Sequence, residues 1–208
     1  MDHPRLQRLD QDLFNAVAAA ASAAPRRRLN HNLHAEPDLV QRFLNVLQPG
    51  TYIRPHRHQR QIPGAGFECF LVLQGSIGLL LFDDAGQLIG RERLDSAGPL
   101  KGIELAEGCY HALVALSPDA VMFELKQGPY QPTADKDFLP GFPLEGTAEA
   151  RDQERQWREL FPVEPHAADA AFAPISEEFQ PGATARASCA RATSAGTAAS
   201  AAVVGHQL

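Results

Sequence analysis

The chain is short of several things that define common protein classes. Lys and Arg together number 19 against 25 Asp and Glu, a net charge of −6, so no basic excess exists to hold nucleic acid. No stretch approaches the roughly 18 consecutive apolar residues of a membrane span. Met1-Asp2-His3-Pro4-Arg5 leads into no apolar signal core, which sets the expectation of a cytoplasmic protein with neither a membrane nor a nucleic-acid partner. The 3 cysteines are an odd number without Cys-x-x-Cys spacing, which fits reduced thiols and not a disulfide framework. A length of 208 residues holds one good-sized domain with appendages.

What is present is concentrated in Gly50-Thr51-Tyr52-Ile53-Arg54-Pro55-His56-Arg57-His58, followed by Glu68 and Gly75 and answered by His111. Two histidines one residue apart diverge on a helix. On a strand, whose side chains alternate, His56 and His58 share a face and can converge on one ion. Glu68 opens the apolar run Phe70-Leu71-Val72-Leu73 and can add a carboxylate oxygen from the neighbouring strand. His111 heads Ala112-Leu113-Val114-Ala115-Leu116 after a Gly-Cys-Tyr turn. Three neutral imidazoles and a carboxylate suit one divalent transition metal, Fe, Mn, Ni, Cu or Zn, over the all-oxygen chemistry of Ca or Mg. A shared ion requires His111 within about 7 Å of the His56/His58 pair. The plainer alternative, surface histidines beside Arg54, Arg57 and Arg60, leaves the Gly lead-in, the strand-opening carboxylate and the distant Gly-x-x-His unexplained. Cys69 and Cys109 adjoin the proposed ligands without being ligands themselves. Alternation turns Cys69 away from the metal, and both read as small buried residues.

Gly50-x5-His56-x-His58…Glu68-x6-Gly75 resembles the first cupin motif, and Gly108-x2-His111 the core of the second. More closely, residues 28–146 resemble the WbuC-type cupin metalloproteins. The matching pieces are Arg28-x-Asn30-x-Asn32-x-His34, Pro49 to His58, Val114-Ala115-Leu116, Gly128-Pro129-Tyr130 and Asp135-Lys136-Asp137-Phe138. The resemblance implies a small β-barrel holding a divalent metal, similar to proteins found with O-antigen and other surface-polysaccharide biosynthesis. There are departures. Nine residues, 59–67, separate His58 from Glu68 where the cupin pattern has about four. Ala106 stands where proline is usual, and Ala115 where asparagine often sits.

Along the chain, Leu6, Leu9, Leu13, Phe14 and Val17 predict an apolar-striped helix over 4–24, ended by Pro25. Arg28, Asn30, Asn32 and His34 alternate on one face of an extended segment, either simply solvated or lining a pocket mouth for a polar or anionic ligand. Val40–Leu47 reads as a strand before the Pro49-Gly50 turn. Tyr52 and Arg54 are expected on the His56/His58 face. Tyr52 is thereby a catalytic candidate, and Arg54 a grip for a carboxylate or phosphate unless it makes only a surface ion pair.

Residues 67–73 and 77–82 predict a hairpin through Gln74-Gly75-Ser76, and Asp83-Asp84-Ala85-Gly86 a turn into a strand over 87–94. Residues 103–105 make a short strand. In 121–126, Glu124 and Lys126 alternate with Val121, Phe123 and Leu125. Glu124 is a general-base candidate if its face points inward, and solvated, the preferred reading, if it points outward. The 128–138 loop closes the barrel, with Phe138 and Phe142 plugging one end.

The expected architecture is all-β: a single cupin barrel or jelly roll over 26–146, with an N-terminal helix in 1–25 and a helix over 147–161. Residues 162–208 are Ala-, Pro- and Ser-rich and read as a largely disordered tail. Three functions fit: a metal-dependent enzyme on a sugar or nucleotide-sugar, an Fe(II) dioxygenase of small molecules, and a non-catalytic metal-dependent binding module. The partner is a small molecule, anionic or sugar-like, and pairing of β-edges into a homodimer is an expectation of the architecture.

Overall fold

The computed structural model describes residues 6–59, 66–129 and 136–162. All lie in Met1–Ile175, the first of two units into which the chain divides. The tail from 163 onward, most of the 59–67 insertion, Tyr130 and Asp135 fall outside the described residues.

The first element is the helix α1 (Gln11–Ala23). It starts later than the apolar spacing predicts because Asp10 caps it, its carboxylate accepting from Leu13 N–H at 3.1 Å. Leu6 and Leu9, counted in the predicted stripe, precede that cap and are 74% and 40% exposed. Ten strands follow: β1 (Arg28–Asn32), β2 (Val40–Leu47), β3 (His56–Arg57), β4 (Phe67–Gln74), β5 (Ser76–Phe82), β6 (Leu88–Asp95), β7 (Gly102–Ala106), β8 (Tyr110–Ala115), β9 (Ala120–Gln127) and β10 (Asp137–Phe138). The helix α2 (Ala148–Glu159), capped by Thr147, closes the described chain.

The strands form two antiparallel five-stranded sheets, ordered β1-β2-β9-β4-β7 and β10-β3-β8-β5-β6. The all-β double-sheet expectation is met, in the manner of a jelly roll. The predicted 67–82 hairpin is not formed. β4 pairs with β7 and β9 in one sheet, and β5 with β6 and β8 in the other. The chain crosses between sheets at Gly75, where φ is +69° and a Cβ would collide with Ser117 Oγ.

Between the sheets lies a core built from both, including Phe70, Leu79, Leu94, Leu113 and Met122. Each fully buried side chain of this kind contributes about 2 kcal/mol through area removed from water. Both sheets also have covered backs. Phe14, Val17 and Ala21 of α1 pack on Leu44, Val46 and Val121. Trp157 of α2, with Phe161 just beyond it, packs on Leu80, Phe82, Ala112 and Val114. Strands β2, β5, β8 and β9 therefore bury apolar side chains on their outer faces. Their inner faces are free to carry polar groups at one end of the barrel.

Candidate metal centre

Three imidazoles meet on the second sheet. His56 stands opposite His111 across β3 and β8, and His58 follows on the same side just past β3. One ligand nitrogen from each of the three lies within 4.8 Å of the others, inside the ~7 Å limit for a shared ion. All three residues are buried, at 4%, 8% and 2% exposure for His56, His58 and His111. The His56 ring is held by its Nδ1 against Arg54 O at 2.9 Å, and the His111 ring by its Nδ1 against Cys109 O at 3.0 Å. With Nδ1–H donating to a carbonyl, Nε2 of each ring is the unprotonated nitrogen a metal requires.

The carboxylate comes from the opposite sheet. Glu68 on β4 places Oε1 3.3 Å from His58 Nε2 and Oε2 3.2 Å from His111 Nε2. Cys69, the next residue, points to the other face by alternation. Neither Cys69 nor Cys109 is in a disulfide, and both are half-buried where full burial was expected. Desolvation pushes His56 well below its ordinary value, helped by Lys136 and the two other imidazoles. Desolvation likewise lowers His111, against the opposing pull of Glu68 and the Cys109 carbonyl. Both are neutral at neutral pH, the form that binds metal. Burial alone would raise Glu68, but the charges of His111 and His58 and hydrogen bonds from His58 and Glu124 outweigh it and hold its carboxyl well below the usual range. The donor set of three imidazoles and a carboxylate, with the His56 and His111 rings already oriented by the backbone, fits a divalent transition metal.

Glu124 departs from the preferred reading. Its face of β9 points inward: Met122, Glu124 and Lys126 are buried at 0%, 6% and 4%, whereas Val121 and Phe123 pack beneath α1. Alternation identified which residues share a face. The α1 cover, which makes the apolar face the outer one, reverses its sense. Glu124 accepts from Asn45 Nδ2 on β2 and is hydrogen-bonded to Glu68. Burial, then the Glu68 charge beside it, pushes its carboxyl well above the usual range, which favours a proton shared by this pair of carboxyls.

The cluster forms one wall of a cavity of about 660 Å³. Asn30, Asn32 and His34 line it from β1 and the segment just after, with His34 Nδ1 2.7 Å from Arg42 O. Arg28 joins them, its guanidinium bonded to Glu145 at 2.6 Å and to Tyr52 O at 2.9 Å. Tyr52 and Arg54 are not among the lining residues. Residues 51–55 are not strand, so the two-residue alternation does not run back from His56 through Pro55. Tyr52 instead stacks on Trp157 at 5.4 Å and donates its hydroxyl to Pro143 O, and desolvation pushes its pKa up to about 12. Arg54 donates to Leu139 O and lies over the Phe138 ring at 5.1 Å.

Phe138 lines the cavity, 6.0 Å from the His56 ring, but Phe142 packs with Phe82 and Trp157 on the outer face. β10 is clamped onto β3 by Arg57, which reaches Asp137 at 2.7 Å and Asp84 at 3.1 Å. Asp84 thus does more than the turn chemistry expected of it. Asp83 keeps to that chemistry, accepting from Ala85 and Gln87 N–H. Sequence reasoning missed Gln41, Asn45 and Lys126 as cavity walls. The available signal was polar residues at period two in otherwise apolar strands.

A double-sheet β fold with three buried histidines lining its interior cavity fits a metal-binding cupin. A family model described as a domain of unknown function (DUF6016) matches residues 9–94. No curated protein matches the chain. Among solved structures, KdgF from Halomonas sp. is 21% identical over 51% of this chain and 83% of its own, with a TM-score of 0.39. The capsular polysaccharide assembling protein CapF from Staphylococcus aureus is 19% identical over 54% of this chain and 32% of its own, with a TM-score of 0.43. A Cupin_2 domain of an XRE family transcriptional regulator from Enterobacter cloacae is 20% identical over 50% and 98%, with a TM-score of 0.37. Among the described residues no helix is long and apolar enough to cross a membrane.

Proposed function

We propose that this chain is a metal-dependent enzyme that moves a proton on a sugar or nucleotide-sugar intermediate of surface-polysaccharide biosynthesis. The observation that carries the enzymatic part is Glu124, a buried carboxyl hydrogen-bonded to Glu68 beside the three histidines and open to the cavity. A binding module has no need of a second buried carboxyl there, whereas proton transfer does. The sugar assignment rests on the resemblance of Arg28 to Gly146 to WbuC-type proteins.

His56, His58 and His111, with Glu68, would hold the metal, which when bound supplies polarisation of a substrate carbonyl or hydroxyl. Glu124, holding the proton it shares with Glu68, would give it to the adjacent carbon or oxygen and take one back to complete the transfer. Asn45, donating to Glu124, fixes the orientation of that carboxyl. Asn30, Asn32 and His34 offer the hydrogen bonds that hydroxyl-rich ligands need at the mouth. Phe138, held over His56, keeps water from that side of the centre.

The test is solvent-deuterium incorporation into a panel of nucleotide-sugars, followed by NMR with Zn- or Mn-loaded protein under anaerobic conditions. Exchange that disappears in Glu124→Gln while metal content stays constant is the expected result. Oxygen consumption only after Fe loading would replace this reading with a dioxygenase. Ligand-induced thermal stabilisation without exchange or turnover would leave a binding module.

A further inference from the structure

Gln41 is a buried amide whose side-chain donor the fold leaves unfilled. It is 1% exposed, lines the cavity from β2, and its Nε2 has no hydrogen-bond partner among the described residues. A buried donor left unsatisfied destabilises the fold, and that cost is recovered when a ligand supplies the acceptor. Directly opposite Gln41 on β9 stands Lys126, 4% exposed and also in the cavity wall. Directly opposite Lys126 on β4 stands Glu68. One cross-strand row of inward side chains therefore runs from an unfilled amide donor, through an ammonium, to the carboxylate at the metal centre. The Lys126 Nζ lies 5.6 Å over the Phe43 ring, so its charge is held at the wall and not in bulk water.

We infer that Gln41 and Lys126 form a carboxylate subsite, and that the sugar-type ligand proposed for this cavity carries an acid group bound there while its other end reaches the three-histidine centre. An amide N–H and an ammonium side by side match the two oxygens of a carboxylate. A neutral hydroxyl would fill Gln41 but draw nothing from the charge. Lys126 is the member of the subsite paired with Glu68 across the strands, and its charge offsets the repulsion that carboxylate exerts on an incoming anion. Neighbouring strands lie about 4.8 Å apart, which puts Gln41 roughly 10 Å from Glu68 along the row. An acid carrying a second oxygen group two to four carbons from its carboxylate spans that gap. The inference rests on the cavity being a small-molecule site and narrows its ligand to a carboxylate-bearing one.

The experiment is calorimetric titration of the metal-loaded full chain with the dicarboxylates from malonate to adipate, the diamide of whichever binds best, and inorganic phosphate. At least one diacid is expected to bind, its diamide roughly tenfold or more weaker. Gln41→Leu and Lys126→Met should each weaken the diacid by a similar factor with metal content unchanged. Gln41→Glu, which keeps the shape and replaces the donor with a charge, should abolish binding even if the Leu variant folds poorly. The inference is overturned if no diacid binds at millimolar concentration, if the variants bind as the parent does, or if the diamide or phosphate binds as well as the diacid. Diacid binding to metal-free protein with the same dependence on Gln41 would uphold the subsite while the metal-dependent reading failed.

Discussion

His56 and His111, distant in the chain, are directly paired across β3 and β8 and are oriented by the same local device. Each ring turns its Nδ1 to the carbonyl two residues before it, Arg54 O for His56 and Cys109 O for His111. The backbone thus selects the tautomer of both imidazoles before any ion arrives, and their Nε2 atoms face the same point. Glu68, from the opposite sheet, meets His58 and His111, whereas the backbone alone orients His56.

Metal content should follow that division. His56→Ala and His111→Ala are expected to reduce bound metal to a small fraction of one equivalent. Glu68→Ala should retain most of it, with affinity lowered about 10–100-fold, as for groups that tune a metal site. Elemental analysis of protein purified without added ions measures this, and equal metal in all three variants would contradict it.

In the metal-free protein the buried histidines and Glu124 should pull stability in opposite directions as pH changes. Unfolded His56 and His111 take up protons that their desolvated folded forms refuse, so stability falls as pH falls through the ordinary value of 6.5. Glu124 acts in the opposite sense. Its folded carboxyl keeps a proton that the unfolded one releases above 4.5, so its contribution is lost as pH rises through the folded value. Thermal melts of parent and Glu124→Gln in chelator between pH 4.5 and 9 measure this: the variant should lose the fall in stability that rising pH imposes through Glu124, and a difference between the two that does not change with pH would refute the assignment.

Phe14 is 8% exposed and joins α1 to Leu44, Val46 and Val121 behind the first sheet. Phe14→Ala should cost about 3 kcal/mol and lower Tm by ~6–12 °C, with metal content unchanged because the helix touches only the outer face. A loss of metal as large as the loss of stability would show that the helix also shapes the site.

On the other back, Gly78 leaves room for the Phe161 ring, whose Cε2 would sit 2.5 Å from an added Cβ. Gly78→Ala should displace that ring and destabilise by about 1–3 kcal/mol. Combining it with Phe161→Ala, which opens the space, should give less than the sum of the two effects, measured by urea unfolding.

Much of the site was legible from local pattern. His56 and His58 share a face because a strand alternates. Glu68 opens a strand, and His111 follows a glycine turn, so their chemistry can be read without coordinates. Tyr52 and Arg54 were misplaced because alternation was carried through Pro55 into residues that are not strand. Glu124 was given the wrong sense because what covers the far side of β9 is a helix about a hundred positions away in the chain.

From the order of its residues alone, the protein was determined to be a β fold with two flanking helices and a set of metal-binding side chains. These depend on periodicity, turns and side-chain chemistry, which act within a few residues. Which face of β9 is inside, which sheet β4 and β5 each join, and that Gln41 reaches the cavity were decided only by the assembled molecule. The reason is that a strand's pattern says which side chains lie together. It does not say what will be packed against them.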